Sequence, residues 1–547
     1  MKPAGRSLFT LVIALTWLHA LVSFRYPWEN IAFHESWLRG SLDLAALVGL
    51  GWVASLTNKG RCFRPHALTV ATLFLPLFRF AHTVMPVFYG KELDPYNDAD
   101  MLPGLVHLLL HRYGFFVQAA LVLGVVAIAV GFYFATLRAW QRVSACFQRD
   151  AIQRPKLVVA GLGLFLVAGT VDTAPDDESV FATPFLADDI ARSGVSIADS
   201  WREFSAFDER LEEARRRLDG VPTDLAHLRG ADVYVVFIES YGACILRDPE
   251  RRAQLESWSA EWTERLEQHG FHMATGLAFP SVRGGNSSMA HAEFMSGTPV
   301  RTRRTFDRLL ASDVRSLPGF FRDAGYRAIN VQPGMPRAWD EGSFFGFTED
   351  VFQPQLPYAG RAYHWGTMPD QYALAYFLHE YVVPSDKPVF AQYVSVTSHA
   401  PFSMIPPNIA DWKAAATSEP YEAPPAHDFG IGWLDYSGHP ELADAYMESI
   451  RYSLDTTFAF LCELPRDSIA FVLGDHQPPQ VGEFQEADLS FDVPVHVVAK
   501  DPRVTGAVET FGFRSGFLPD LEFGSFPTYR ILSLFLETFS GGEAQAR

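Results

Sequence analysis

At 547 residues the chain is too long for one ordinary domain. Its formal charge of -18 argues against a nucleic-acid-binding surface. Four cysteines (Cys62, Cys146, Cys244 and Cys462) form no CxxC pair and no dense framework, which argues against a disulfide-stapled scaffold or a cysteine-rich zinc site.

Apolar residues are concentrated before about residue 173. Five stretches, 7–24, 40–57, 67–88, 115–136 and 156–173, are each near the ~20 residues a membrane-spanning helix needs. Arg79 and His82 interrupt the third, so their side chains must face a bundle interior or snorkel. The first reads as an anchor and not a signal peptide, because no small-residue cleavage site follows it and further apolar stretches do. Lys2 and Arg6 precede the first stretch, Lys59, Arg61 and Arg64 follow the second, and Arg138, Arg142, Arg149, Arg154 and Lys156 lie between the fourth and fifth. The alternate loops are poorer in Lys and Arg, and 89–113 carries Glu92, Asp94, Asp98 and Asp100. This asymmetry predicts a cytoplasmic N-terminus and, after five spans, an extracytoplasmic remainder. Cys244 and Cys462 could pair in that compartment.

Residues 174–228 read as a juxtamembrane connector, with a charged, solvated helix over Phe207–Leu218. From 229 to 547 the pattern is α/β. Val233–Ile238 is a continuous apolar, β-branched run, as in a buried parallel strand. Similar strands are expected at Arg327–Val331, Val389–Val396, Ile469–Leu473 and Val493–Val498, separated by helices such as Val314–Ala324, Asp370–Tyr381 and Leu442–Leu461. The predicted fold is a five-helix transmembrane bundle over 1–173, then an α/β domain whose mostly parallel sheet is covered on both faces. Residues 403–438, rich in Pro, Ala and Gly, look like an irregular insertion.

Ligands of open α/β sheets gather at the carboxyl ends of strands. Three polar clusters fall there: Glu239-Ser240-Tyr241-Gly242, Thr397-Ser398-His399, and Gly474-Asp475-His476-Gln477. Between them in sequence, Pro280 to Ser288 carries Gly284-Gly285-Asn286-Ser287 at the start of a helix. Glycines let a backbone bend and approach a ligand, and a helix N-terminus favours an anion. Each piece alone has a plainer reading: a solvated loop Glu, an Asp-His turn, a hydrogen-bonded structural His, a serine N-cap. Together, Glu239, Asp475 and His476 make a mixed O/N ligand set that suits zinc or manganese better than calcium. Ser287 is the candidate fourth ligand and nucleophile, and His399 the candidate proton donor or phosphate contact.

These segments resemble the lipoteichoic acid synthase branch of the sulfatase/alkaline phosphatase superfamily. The likeness rests on Val235-Val236-Phe237-Ile238-Glu239-Ser240-Tyr241-Gly242, Gly285-Asn286-Ser287 with Glu293-Phe294, Ser398-His399-Ala400-Pro401-Phe402 and Gly474-Asp475-His476. It implies a sulfatase/alkaline phosphatase-like α/β/α domain behind a five-span membrane domain. By motif, Glu239, Ser287, Asp475 and His476 would bind one divalent metal, Ser287 would attack, and His399 would contact substrate. Arg337 and Trp339 fall where the family has a substrate-binding Trp/Arg pair, in a different local order. The family usually has Thr as nucleophile, whereas this chain has Ser287, with Ser288 as the alternative. The spacing from Ser287 to Glu293-Phe294 is also longer than the family pattern.

The implied function is transfer of a phosphoglycerol or phosphoethanolamine group from a phospholipid donor to an envelope glycan or lipid acceptor. A hydrolase is the first alternative. True sulfatases resemble one another in a Cys/Ser-x-Pro-x-Arg motif, but Ser287 is followed by Ser288, Met289, Ala290 and His291, which favours a phosphodiesterase over a sulfatase. A non-catalytic membrane sensor on the same fold is the second alternative, and the intact Glu239, Ser287, Asp475 and His476 set argues against it.

Overall fold

The computed structural model describes residues 3–23, 41–57, 65–89, 92–98, 115–149, 186–337, 339, 341–363, 368–432, 439–478 and 490–541. The chain divides into two compact units, Met1–Pro86 with Glu92–Ser200, and Val87–Lys91 with Trp201–Arg547.

The first unit is helical: α1 (Pro3–Val22), α2 (Leu42–Thr57), α3 (Pro65–Tyr89), α4 (Phe115–Arg149) and most of α5 (Leu186–Ser205). Leu18, Trp140 and Val143 form its small core with Ala14, Leu68 and Ala139. Two indoles are tied inside it, Trp140 Nε1 donating to Thr72 Oγ1 at 2.9 Å and Trp17 Nε1 to Thr136 Oγ1 at 3.1 Å. Such bonds pin helices together where apolar faces alone give little orientation.

The structure differs from the expected five-helix bundle. Among the described residues two helical segments are long and apolar enough to cross a membrane, Pro65–Met85 and Phe116–Ala145. The apolar part of α1 covers only Phe9–Val22. Helix α2 has 16 residues, about 24 Å at 1.5 Å per residue, short of the ~30 Å hydrocarbon core. The stretch 156–173 lies outside the described residues. His82, which interrupts α3, is buried with its Nε2 2.8 Å from Ser193 Oγ.

The second unit is built on a nine-stranded sheet. Its strands are β1 (Asp232–Ile238), β2 (His272–Phe279), β3 (Arg327–Gln332), β4 (Glu349–Phe352), β5 (Val389–Val394), β6 (Ser468–Gly474), β7 (Val493–Ala499), β8 (Arg514–Ser515) and β9 (Phe526–Pro527). The order is β8-β2-β7-β6-β1-β5-β3-β4, with β9 added to β2. Strands β6, β1, β5, β3 and β4 run parallel, and β7 pairs antiparallel with both β6 and β2.

Strand β1 shows why the sheet is covered on both faces. Tyr234, Val236 and Ile238 belong to one apolar cluster, and Val233, Val235 and Phe237 to the other. Alternate side chains point to opposite faces, so an unbroken apolar run requires two coats. The helix α6 (Phe207–Leu218), expected to be solvated, instead buries Phe207, Leu211 and Ala214 on the second unit. Its apolar positions recur at helical spacing, which the dense charge hides in a composition count. Strands β2 and β4 were not anticipated: β2 carries Ala, Gly and Thr in place of a β-branched run, and β4 has four residues beginning Glu349-Asp350. Cys244 and Cys462 are both free thiols.

Candidate active site

Three strand ends lie in register. Ile238 of β1 pairs with Gly474 of β6, and Phe237 pairs with Val394 of β5. The next residues along these strands, Glu239, Asp475 and Ser395, therefore emerge side by side. Glu239 N–H donates to Ser395 Oγ at 2.9 Å. Ser240 takes a left-handed backbone (φ 60°), which turns its N–H onto Asp475 Oδ1 at 2.8 Å. That strained turn is held from behind by Tyr446, whose hydroxyl donates to Ser240 O at 2.8 Å. Gly474 is required by close approach: a Cβ there would lie 1.9 Å from the Tyr241 carbonyl oxygen.

Ser287 arrives on a separate helix, Ser287–Ser296, here α7. Gly284, Gly285 and Asn286 all have positive φ (60°, 86° and 63°), which explains the Gly-Gly-Asn sequence before the serine. Buried Glu293 staples the loop from inside the helix. Its Oε2 accepts from Ser281 N at 3.2 Å and Val300 N at 3.1 Å, and its Oε1 from Thr528 Oγ1 at 2.5 Å. The result is a Ser287 hydroxyl that donates to Glu239 Oε2 at 3.0 Å and lies 3.1 Å from His476 Nε2.

Glu239, Asp475 and His476 are buried, and one ligand atom from each lies within 4.8 Å of the others. His476 Nδ1 is 2.8 Å from Gln477 O, so Nδ1 carries a proton and Nε2 faces the cluster. There the neutral ring offers a lone pair, and the protonated ring, disfavoured by burial but favoured more by Asp475 and Glu239, offers a second N–H. A carbonyl behind an imidazole is the usual support of a metal-binding histidine. Asp475 Oδ1 accepts from Ser240 N and His476 N, both at 2.8 Å. Its Oδ2 is buried without a hydrogen-bond partner among the described residues. Burial, and then the charge of Asp475, push the Glu239 carboxyl up, while His476 and His399 pull the other way. Burial would also raise Asp475, but the His476 and His291 imidazoles outweigh it and hold the group well below the usual carboxylate range. Two buried carboxylates, one orphaned oxygen and a lone-pair nitrogen converging on one point fit a divalent cation.

His399 follows β5, half-buried, with Nδ1 2.7 Å from Ala400 O. Its loop hangs on buried Asp370, which accepts from Val396 N at 2.7 Å, Thr397 N at 3.1 Å and Ser453 Oγ at 2.8 Å. The structure thus brings Glu239, Ser287, Asp475 and His476 together. Ser288 has no hydrogen bond to that group among the described residues. Arg337 is exposed, and Trp339 stacks on Phe345 with ring centroids 5.4 Å apart. Neither has a hydrogen bond or ion pair to the four-residue group among the described residues.

Sequence reasoning missed His291. It lies one turn after Ser287 on the same helix face, so helical spacing was the available signal. Its buried ring packs on Phe237 with centroids 4.2 Å apart, and its Nε2 is 3.6 Å from Asp475 Oδ2.

No family model matches the chain, and no curated protein matches it in sequence. Solved structures do. The chain is similar to a protein in the alkaline phosphatase superfamily from Vibrio parahaemolyticus, at 15% identity over 50% of this chain and 60% of that one, with a TM-score of 0.34. It is similar to the lipoteichoic acid synthase LtaP from Listeria monocytogenes, at 15% identity over 49% and 65%, with a TM-score of 0.34. In both cases the match spans less than two thirds of the solved chain. It is also similar to the integral membrane lipooligosaccharide phosphoethanolamine transferase A (EptA) from Neisseria meningitidis, at 13% identity over 98% and 95%, with a TM-score of 0.43.

Proposed function

We propose that the chain is a membrane-anchored, metal-dependent transferase that moves a phosphoglycerol or phosphoethanolamine group from a phospholipid to an envelope glycan or lipid. The observation that carries this reading is the Ser287 hydroxyl, poised between Glu239 Oε2 and His476 Nε2 beside the unpartnered Asp475 Oδ2. Glu239, Ser287, Asp475 and His476 would hold one ion, zinc or manganese, which supplies positive charge against the oxygens of the reacting phosphoryl group.

The chain's own residues do the rest. Glu239 Oε2 accepts the Ser287 hydroxyl and offers its proton a way out. Ser287 Oγ attacks phosphorus: the Oγ–P bond forms and the bond from phosphorus to the diacylglycerol oxygen breaks. His399, held by the Asp370-anchored loop, protonates the departing oxygen or steadies a phosphate oxygen. An acceptor hydroxyl then attacks the same phosphorus and passes its proton to the His399 imidazole, and the bond from phosphorus to Ser287 Oγ breaks as Glu239 returns the proton it took.

The membrane reading rests on the outward faces of α3 and α4. Leu77 of α3 is 69% exposed and Phe116, Leu123 and Val125 of α4 are 86%, 68% and 65% exposed, a surface that water would not tolerate over such a length. We assign 1–173 to the membrane, 174–228 to a connector and 229–547 to an extracytoplasmic catalytic domain. The N-terminus is cytoplasmic in this scheme.

The test is incubation with labelled phosphatidylglycerol and phosphatidylethanolamine, followed by intact-mass analysis. A head-group adduct is expected, absent in Ser287→Ala and retained in Ser288→Ala. An adduct that survives Ser287→Ala but disappears in Ser288→Ala would overturn the nucleophile assignment. No adduct and no turnover with either lipid would overturn the transferase reading. Head-group release to water with no acceptor requirement would make the enzyme a phosphodiesterase.

A further inference from the structure

Helix α5 is amphipathic, with an apolar side that faces outward. Ile190, Ile197, Trp201 and Phe204 are 54%, 39%, 59% and 36% exposed. At about 100° per residue, these positions fall within a stripe about 60° wide. Arg192, Asp199 and Arg202, also exposed, lie on the opposite side, with Val195, 63% exposed, among them. The flank between carries Ser193 and Ser200, and it is this polar flank that meets the protein. A helix on a water-facing surface buries its apolar stripe, and this one exposes it.

The contacts of that polar flank state where the helix lies. Ser193 Oγ is 2.8 Å from His82 Nε2. His82 stands three residues before Met85, where the candidate span Pro65–Met85 ends, or about 4.5 Å along the helix axis. Ser200 donates to Asp94 Oδ2, and Arg192 is 3.8 Å from Glu92, both in the polar segment that follows. The helix is thus tied to the level at which α3 passes from apolar to acidic sequence.

We infer that α5 lies in the interface of a phospholipid bilayer. Ile190, Ile197, Trp201 and Phe204 enter the boundary between head groups and acyl chains, and Arg192, Asp199 and Arg202 face water. A large apolar stripe opposite charged residues, with a Trp in it, is the pattern that binds lipid surfaces in the membrane plane. The inference rests on the reading that α3 and α4 cross the bilayer. It goes further, because it gives α5, which crosses neither leaflet, its own lipid contact.

The experiment uses the unsubstituted full chain in phosphatidylglycerol and phosphatidylethanolamine vesicles. The vesicles are doped with one of two photoactivatable phospholipids, carrying a diazirine next to the head group or at the acyl-chain terminus. Adducts are mapped by peptide mass spectrometry. The shallow probe is expected to label Ile190, Ile197 and Phe204 at least about fivefold more than Asp199 and Arg202, and the deep probe to label 116–145 but not 186–205. If 116–145 is labelled and 186–205 is labelled by neither probe, the inference falls and the membrane reading stands. If the deep probe labels 186–205, the helix lies in hydrocarbon and the inference falls. If neither probe labels 116–145, the membrane reading fails and takes this inference with it.

Discussion

At the scale of single residues, the candidate site depends on a few backbone positions as much as on its ionisable groups. Gly474 shows it: the Cβ of an alanine would meet a backbone oxygen that no rotamer change can move. Gly474→Ala is expected to cost about 3 kcal/mol or more in denaturant unfolding, because two neighbouring strand ends must part. Glu293→Ala leaves the buried Val300 N–H, the half-buried Ser281 N–H and the Thr528 hydroxyl without their acceptor. A loss of about 3 kcal/mol is expected, together with lost adduct formation as the Ser287 loop loosens. Normal stability in that variant would show that the staple is dispensable. Asp475→Ala removes the orphaned oxygen, and titration with zinc or manganese should show affinity weakened beyond the ~10–100-fold that loss of an outer-shell partner costs.

At the scale of elements, the antiparallel strand β7 carries a pH dependence. His496 is buried on β7, between β2 and β6, with Nδ1 2.8 Å from Thr275 Oγ1 and Nε2 3.2 Å from Tyr241 Oη. Thr275 donates onward to Gly516 O at 2.7 Å, so it accepts from Nδ1–H, and Tyr241 donates to Nε2. Both ring nitrogens are satisfied in the neutral form, and burial pushes the group down to about 3 from its ordinary 6.5. Below pH 6.5 the unfolded chain takes up a proton that the folded chain refuses until about pH 3. Stability therefore falls with pH across that window, by about 1.4 kcal/mol per unit from this residue. Unfolding midpoints of wild type and His496→Gln between about pH 7 and 4 should diverge in slope, wild type being the steeper. Parallel slopes would contradict this assignment. Of the five strands anticipated from apolar runs, β1, β5 and β6 end at the site, whereas β2 and β4 escaped notice. Their stability comes from pairing with β7 and β3, and no local propensity announces it.

At the scale of the whole chain, metal binding and folding should be linked. The cation would offset the mutual repulsion of Glu239 and Asp475 in a buried site, so the folded state binds it and the unfolded state binds it poorly. Metal at about 100 times its Kd should raise stability by about 2.7 kcal/mol, read as a higher melting temperature that a chelator abolishes. Asp475→Ala should melt at one temperature with or without metal. The two-unit organisation has a plain physical origin. Before residue 149 the exposed surface of the described helices is rich in large apolar residues, and from 207 onward such residues are inside, Val383, Phe491, Phe511 and Phe523 excepted.

Much of this was legible in the chain. Apolar runs of period one, with polar clusters at their ends, announced a buried parallel sheet and the edge where Glu239, His399, Asp475 and His476 would gather. Gly-Gly-Asn before Ser287 announced a tight backbone bend into a helix. These are local properties, carried by backbone preference and by the side-chain alternation of strands. Tertiary structure decided what depends on distance. It set Ser287, and not Ser288, within hydrogen-bonding reach of Glu239 and His476. It brought His291 to Asp475, left Trp339 against Phe345, and turned the apolar stripe of α5 outward. Each outcome is fixed by strand register and helix rotation. A shift of one residue in register, or of about 100° around a helix, changes which atom faces the site, and neither is written in the residues themselves.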